Sequence, residues 1–266
     1  MTKQITGNQK ENSIQQHEEM PIKDWLLPLK NSEERTKDIT HVMIHFISNA
    51  VQKPKDPYQE NDIYNIFNDY GLSSHYMINR NGDIYRLVNE NRAGYHAGKG
   101  SLPGFPEYTD KMNEYSIGIE LFAIGTWEEM SIMMSKENYD LIDSSDIGYT
   151  DAQYRSLNLL LDDIYKRNPS VLKDRNHVIG HDEYAPGRKT DPGSLFDWSR
   201  IGFKKGEENM NRTLQLTDWQ WKQLYTNTKK AKDAGKFTDE IWLKKIENQT
   251  LTIDELTFLN NHIINN

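Results

Sequence analysis

The chain has 266 residues, no cysteine, and a formal charge of −8 from 32 Lys plus Arg against 40 Asp plus Glu. That length fits one large domain or one domain plus a small one, and 36% hydrophobic with 11% aromatic residues can build a core despite a mean hydropathy of −0.84. The acidity argues against a nucleic-acid binder held by phosphate neutralisation, and the missing cysteine excludes disulfide scaffolds, thiol nucleophiles, Cys-ligated zinc and iron–sulfur clusters.

Residues 1–20 are polar and read as a mobile N-terminal arm, with no basic n-region leading into an apolar h-region, so no secretory signal peptide is expected. No apolar run approaches the roughly 18 residues that a membrane span needs, and no membrane insertion is expected. From Thr40 to Ser48 the chain is β-branched and alternating, with Val42, Ile44 and Phe46 on one face and His41, Met43 and His45 on the other. Between Glu60 and Tyr70, apolar Ile63, Ile66, Phe67 and Tyr70 recur at helical spacing, and Gly71 supplies a C-terminal stop. Two strands, His75–Asn79 and Asp83–Val88, flank Asn81-Gly82, a dipeptide that favours a type I′ hairpin turn.

A Gly/Pro-rich loop follows over Gly94–Tyr108, then a strand over Ser116–Phe122 whose Ile117, Ile119 and Leu121 oppose Ser116, Gly118 and Glu120. Residues 126–149 form a long, acidic, Met-rich insertion without a clear period. Thr150 and Gln153 make a capping box that opens a helix through Leu157, Leu160, Leu161 and Ile164, ending before Pro169. A short strand, His177–His181, leads into a loop from Asp182 to Trp198. Strands and helices interleave, so residues 21–203 read as an α/β domain on a mixed central β-sheet flanked by helices. Residues 207–266 hold helical periodicity and caps at Thr217, Thr238 and Thr252, which predicts a small all-α C-terminal domain of about three helices. This tail has 8 basic and 9 acidic residues, so it is no basic anchor and most of the net charge lies in the first domain.

Without cysteine, any metal must sit on His and carboxylate, and a catalytic zinc site would need three such ligands and an open position for water. The candidates are His45 on a strand, His181 at a strand end and Asp191 in the loop that follows. His177 is a rival to His181, since the two stand four residues apart as in helical metal motifs. Gly180–Gly193 is the most informative stretch, because its glycines and prolines specify a loop that carries His181, Lys189 and Asp191.

Five separated motifs now form an ordered set: His45 within Met43–Phe46; Ser74-His75-Tyr76 ahead of Asn81-Gly82-Asp83; Tyr95-His96-Ala97-Gly98; Asn113 before Ser116–Glu120; and Gly180–Gly193. Over residues 38–202 the chain resembles the zinc-dependent N-acetylmuramoyl-L-alanine amidases of the type 2 amidase family, which share their fold with peptidoglycan recognition proteins. The resemblance implies that His45, His181 and Asp191 ligate zinc (Zn2+), that Glu120 is the general base toward the bound water, and that Lys189 stabilises the oxyanion. It further implies that Tyr95, His96 and Asn113 contact substrate, and that bacterial peptidoglycan or muropeptides are the partners; no protein partner is implied. The reaction expected is hydrolysis of the amide between N-acetylmuramic acid and L-alanine, on the cell wall, by a lysin or autolysin; a phage-type lysin made in the cytoplasm would need no leader. Two positions depart from the family pattern: Ser74 stands where some members carry a tyrosine base, which leaves the base role to Glu120, and Tyr95 replaces a frequent tryptophan.

Plainer readings stand beside these. Glu120 could be a salt-bridge partner, and Lys189 could brace Asp191. Arg188 reads as structural, and His41 and His75 read as packing residues or as supports behind the ligands, not as ligands. Met130, Met133 and Met134 read as loop packing or, as a minority reading, a lid. Trp219, Trp221 and Trp242 read as the core of the tail or, alternatively, as a wall-binding surface. Two competing functions keep the same fold: a non-catalytic peptidoglycan-recognition module, and a zinc peptidase that cleaves within the stem peptide.

Overall fold

In a computed structural model, residues 21–102, 105–203, 214, 216–252, 255–256, 258–260 and 263 are described; the predicted arm at residues 1–20 lies outside them. In chain order the elements are β1 (Ile22–Asp24), β2 (Ser32–Glu34), β3 (His41–Ile47), α1 (Glu60–Tyr70), β4 (Tyr76–Ile78), β5 (Ile84–Arg86) and β6 (Arg92–Gly94). Then follow α2 (Met112–Tyr115), β7 (Ser116–Phe122), α3 (Trp127–Met130), α4 (Lys136–Tyr139), α5 (Asp151–Arg167), β8 (Val178–Gly180), α6 (His181–Tyr184), α7 (Asp218–Asp233) and α8 (Ile241–Glu247). Six strands form one mixed sheet in the order β1-β5-β4-β7-β3-β8, and β2 pairs with β6 in a separate antiparallel ribbon. The expected mixed sheet flanked by helices, with a helical C-terminal region, is what the chain forms.

The long strands β3 and β7 lie in the middle of the sheet, in parallel register with His41 opposite Ser116, Met43 opposite Gly118 and His45 opposite Glu120. Their aliphatic face, Val42, Ile44, Ile117, Ile119 and Leu121, packs on Leu157, Leu160, Leu161 and Ile164 of α5. Each fully buried leucine there contributes about 1.5–3 kcal/mol relative to an exposed one. The helix begins where its cap dictates: Thr150 and Gln153 form the expected capping box, and Gln153 Nε2 donates to the carbonyls of Ile78 and Phe122, docking the helix onto β4 and β7. On the opposite face of the sheet, Ile63 and Phe67 of α1 pack against Met77 and Phe122, while Met43 and Ile179 pack against Met112 and Tyr184. The gap between these two clusters exposes His45 and Glu120 to a cleft.

Several details differ from the sequence-based expectation. The hairpin β4–β5 is not closed by a type I′ turn at Asn81-Gly82. Among the described residues only Gly82 of that loop has positive φ, at 87°, and Gly82 N donates to Asn79 O. Asn79 Oδ1 takes the amides of Asn81 and Asp83, which holds Asn81 out of the left-handed region that type I′ requires. A Cβ at Gly82 would meet Ser156 Oγ at 2.7 Å and Ala152 O at 2.8 Å, so α5 presses on this turn and only glycine fits. The strand expected over His177–His181 ends at Gly180, and His181 starts a short helical turn because Glu183 folds back to accept from Gly180 N.

In the tail, Trp221, Phe237, Ile246, Leu251 and Leu259 form their own cluster with Trp242 packed on it. Trp219, expected in that core, is 69% exposed, since it falls on the outer face of α7 two residues before buried Trp221. Thr238 does not cap α8; Asp239 Oδ1 accepts from Ile241 N instead. Thr252 forms its expected capping box with Glu255, and the rest of that third helix lies partly outside the described residues. No helix among the described residues is long and apolar enough to cross a membrane.

Candidate metal centre

Three segments far apart in the chain supply one cluster. His45 comes from the end of β3, His181 from the turn after β8 and Asp191 from the following loop, and a ligand atom of each lies within 4.8 Å of the others. His45 Nδ1 is 2.8 Å and His181 Nδ1 3.1 Å from the same oxygen, Asp191 Oδ2, and all three residues are buried. The loop is fixed at its backbone from within and from outside: Asp182 N donates to Asp191 O at 2.7 Å, and the Tyr149 hydroxyl, from the insertion, donates to Pro192 O at 2.6 Å. His177 stands at the far end of β8, bonded to Asp174 at 2.7 Å and stacked on His41, outside the cluster.

The hydrogen-bond network assigns the tautomers. His181 Nε2 faces Ala97 O at 2.8 Å and must donate to it, which leaves Nδ1 with a lone pair. Ser116 Oγ donates to Met112 O, His96 Nε2 donates to Ser116 Oγ, and His96 Nδ1 then accepts from His45 Nε2 at 3.1 Å. His45 Nδ1 therefore also carries a lone pair. Burial, reinforced by neighbouring His181, lowers the His45 pKa to about 4 and keeps that ring neutral. Asp191 Oδ2 then faces two ring lone pairs with no ring proton between them, a repulsion that a cation set among the three atoms relieves. Two imidazole lone pairs and a carboxylate oxygen aimed at one buried point form a donor set that a divalent cation satisfies. The two-nitrogen, one-oxygen set is of the kind that zinc takes, with a fourth position left open.

Glu120 lies on the same sheet face as His45, directly across the β3–β7 register and thus about 4.8 Å away at the backbone. Its carboxylate has no hydrogen-bond or ion-pair partner among the described residues, so the salt-bridge reading is not what the structure displays. Burial first, and the nearby Asp191 second, raise its pKa well above the ordinary carboxylate value. Gly118 beside it leaves room for His96: a Cβ there would lie 2.6 Å from His96 Cγ and 2.8 Å from Ser74 Oγ.

A cleft of about 580 Å3 opens over the cluster, lined on its floor by His45, Glu120, His181 and Asp191. Tyr95, His96, Asn113 and Lys189 line it as well. Lys189 is exposed and its ammonium forms no ion pair among the described residues, so it does not brace Asp191. Both ring nitrogens of His96 are engaged, and Asn113 Oδ1 accepts from His96 N and Ala97 N, so these two residues also shape the Tyr95–Gly98 loop. Arg188 donates to Ala97 O and Lys99 O, the structural part expected of it. His75 Nδ1 accepts from Gly118 N, and Arg35 spends its guanidinium on the carbonyls of Glu90, Arg92, Glu114 and Ser116, which ties β6 to β7 behind the site. The cleft also has an apolar lining of Val51, Ile66, Leu72, Ile132 and Met133; the sequence-based reading named Ile66 only as part of a helix face and Met133 as packing or a lid. Met130 and Met134 are buried as expected of packing residues, whereas Met133 is 47% exposed at the cleft. Arg35 and Glu129 were also missed; the Thr126-x-x-Glu129 capping-box spacing was the visible signal for the latter.

The sequence profile of the N-acetylmuramoyl-L-alanine amidase family matches residues 35–194. The chain is 37% identical over 129 residues to the 1,6-anhydro-N-acetylmuramyl-L-alanine amidase AmpD of Haemophilus influenzae, covering 48% of this chain and 56% of that one. It is 31% identical over 140 residues to the N-acetylmuramoyl-L-alanine amidase AmiD of Escherichia coli, covering 50% and 44% respectively. The chain thus spans about half the length of the curated relatives it matches. Among solved structures, a selenomethionine derivative of AmpD superimposes with a TM-score of 0.50 at 26% identity, over 68% of this chain and 92% of that one.

Proposed function

The chain belongs to the N-acetylmuramoyl-L-alanine amidase family, and from that premise we propose that it is a zinc-dependent hydrolase of the amide joining N-acetylmuramic acid to L-alanine in bacterial peptidoglycan or its muropeptides. The observation that carries this reading is the convergence of His45 Nδ1, His181 Nδ1 and Asp191 Oδ2 on the floor of an open cleft, beside Glu120, which has no bonded partner among the described residues.

His45, His181 and Asp191 would hold the zinc ion, which when bound lowers the pKa of a coordinated water and polarises the scissile carbonyl. Glu120 takes the proton of the attacking water, a task suited to a desolvated carboxylate whose proton affinity is raised. The same proton then passes to the alanine nitrogen as the amide bond breaks. Lys189, exposed at the cleft edge and without an ion-pair partner among the described residues, stabilises the negative charge that grows on the carbonyl oxygen. Tyr95 and the apolar lining offer surface to sugar and peptide, while His96 keeps the His45 ring oriented. Residues 207–266 would act as a targeting or assembly module, since their buried side chains form a core of their own.

The wall-degrading role of a lysin or autolysin is the reading for the whole protein. A second substrate form is favoured by the likeness to AmpD, whose name specifies the 1,6-anhydro sugar. Incubating the protein with purified peptidoglycan and, separately, with a soluble 1,6-anhydromuramyl peptide separates these. Mass spectrometry should find intact stem peptides with a free L-alanine amino terminus. Cuts inside the stem peptide would instead identify a peptidase, and binding without any cut would identify a recognition module.

A further inference from the structure

The loop that carries Lys189 and Asp191 is held from outside by two residues of the insertion, Tyr149 through Pro192 O and Glu129 through bonds on either side of Asp191. Glu129 Oε1 accepts from Ser194 N at 2.6 Å, and its main-chain oxygen accepts from Thr190 Oγ1 at 3.3 Å, so its bonds bracket Asp191 on both sides. Its other carboxylate oxygen accepts from Thr126 N at 2.8 Å and closes the capping box of α3. Two glycines make room for this carboxylate. A Cβ on Gly193, whose φ is 75°, would lie 2.7 Å from both Glu129 oxygens, and one on Gly125 would lie 2.4 Å from Oε2. The next residue, Met130, and then Ile132 and Met133 line the apolar wall of the cleft.

We propose that Glu129 is a positioning residue for the metal centre, helping to hold the Thr190–Ser194 segment so that Asp191 stays aimed at His45 and His181 while the insertion lines the cleft. A helix cap alone needs only the Thr126 bonds. The bond to Ser194 N joins two segments 65 residues apart in sequence, and its effect falls on the only carboxylate of the triad. Removing the carboxylate takes away one tie on this segment, leaving those from Asp182 N and Tyr149 Oη, and loosens Asp191 without touching any ligand atom. The inference rests on the amidase reading only in taking zinc as the ion.

The test is zinc affinity of the full-length protein, measured by competition with a chromogenic chelator, together with the melting temperature of the metal-free protein. Glu129→Ala should weaken zinc binding about ten-fold, the low end for residues that orient metal ligands. Glu129→Gln keeps the volume and one acceptor but turns an amide NH2 toward the second N–H, and should weaken zinc binding about three-fold on the same basis; it carries the test if the alanine variant does not fold. Glu128→Gln, an exposed neighbour, removes the same charge and should leave affinity within about two-fold, which separates positioning from long-range electrostatics. Wild-type affinity in folded Glu129 variants with a lowered melting temperature would reduce Glu129 to a helix cap and overturn the inference. Wild-type protein that binds no zinc would overturn the metal-centre reading itself, and this inference with it.

Discussion

Replacing Glu120 with glutamine tests the proton chemistry with little structural disturbance. The side chain is 7% exposed, sits across from His45 in the β3–β7 register, and has no bonded partner among the described residues, so an isosteric amide breaks no hydrogen bond and leaves no cavity. The proposed ligand set His45, His181 and Asp191 is untouched. What is lost is the base, and a positioned general base accelerates a reaction about 10²–10⁴-fold, or about 3–5 kcal/mol of barrier. Glu120→Gln should therefore bind zinc as tightly as wild type and keep its melting temperature, while kcat on a muramyl peptide falls by about two to four orders of magnitude. Zinc content by atomic absorption, thermal melting and product release by chromatography read the three quantities. Near-wild-type kcat would refute the reasoning and place the base elsewhere.

Gly118→Ala should push His96 away from β7, since its Cβ would lie 2.6 Å from the ring, and so disorient His45; activity should fall at least about ten-fold, checked by steady-state kinetics, with unchanged turnover contradicting the relay from Ser116 to His45. Glu90 accepts from Tyr76 Oη, Arg167 and Asn168; burial alone would raise its pKa, but these bonds outweigh it and lower the pKa below 4.5. Its contribution is therefore fully present above that value and is lost as pH falls through the lower folded-state pKa, so Glu90→Gln should cost about 2 kcal/mol at pH 7 and less at a pH below 4.5 in urea titrations. An equal cost at both pH values would contradict this sign. A chain ending at residue 206 should fold, load zinc and cleave soluble muramyl peptide, because the tail's buried residues pack in their own cluster; loss of the cooperative melt on truncation would make the tail part of one core.

Much of this arrangement is legible in the residues, for reasons that differ by element. The strands β3 and β7 announce themselves because seven residues hold several alternations, and the same alternation puts His45 and Glu120 on one face. The strands β1, β2 and β6 are as short as β4, β5 and β8, but their sequences Ile-Lys-Asp, Ser-Glu-Glu and Arg-Ala-Gly lack the apolar β-branched and aromatic run that marks the latter, so they are not legible. The turn at Asn79–Asp83 was misjudged because its conformation is set by Asn79 Oδ1 and by the pressure of α5 on Gly82, a contact from 70 residues away in sequence. Trp219 and Trp221 look alike as residues, and only the packing of α7 tells which one is buried. The triad emerged from motifs in order along the chain, whereas the apolar cleft wall did not, since Val51, Ile66, Leu72, Ile132 and Met133 meet only in three dimensions. Glu129 lies between these cases: its capping-box spacing is local, but its bond to Ser194 is not.

The central claim, that a His-His-Asp zinc site hydrolyses the muramyl–alanine amide, meets its most direct test in one digestion. Protein stripped of metal by a chelator is mixed with muramyl peptide, then titrated with zinc, and the released peptide is sequenced by mass spectrometry. The account predicts no cleavage without metal and, with one equivalent of zinc, release of a peptide beginning at L-alanine. Full activity in the stripped protein, or a cut at any other bond once zinc is restored, would contradict it.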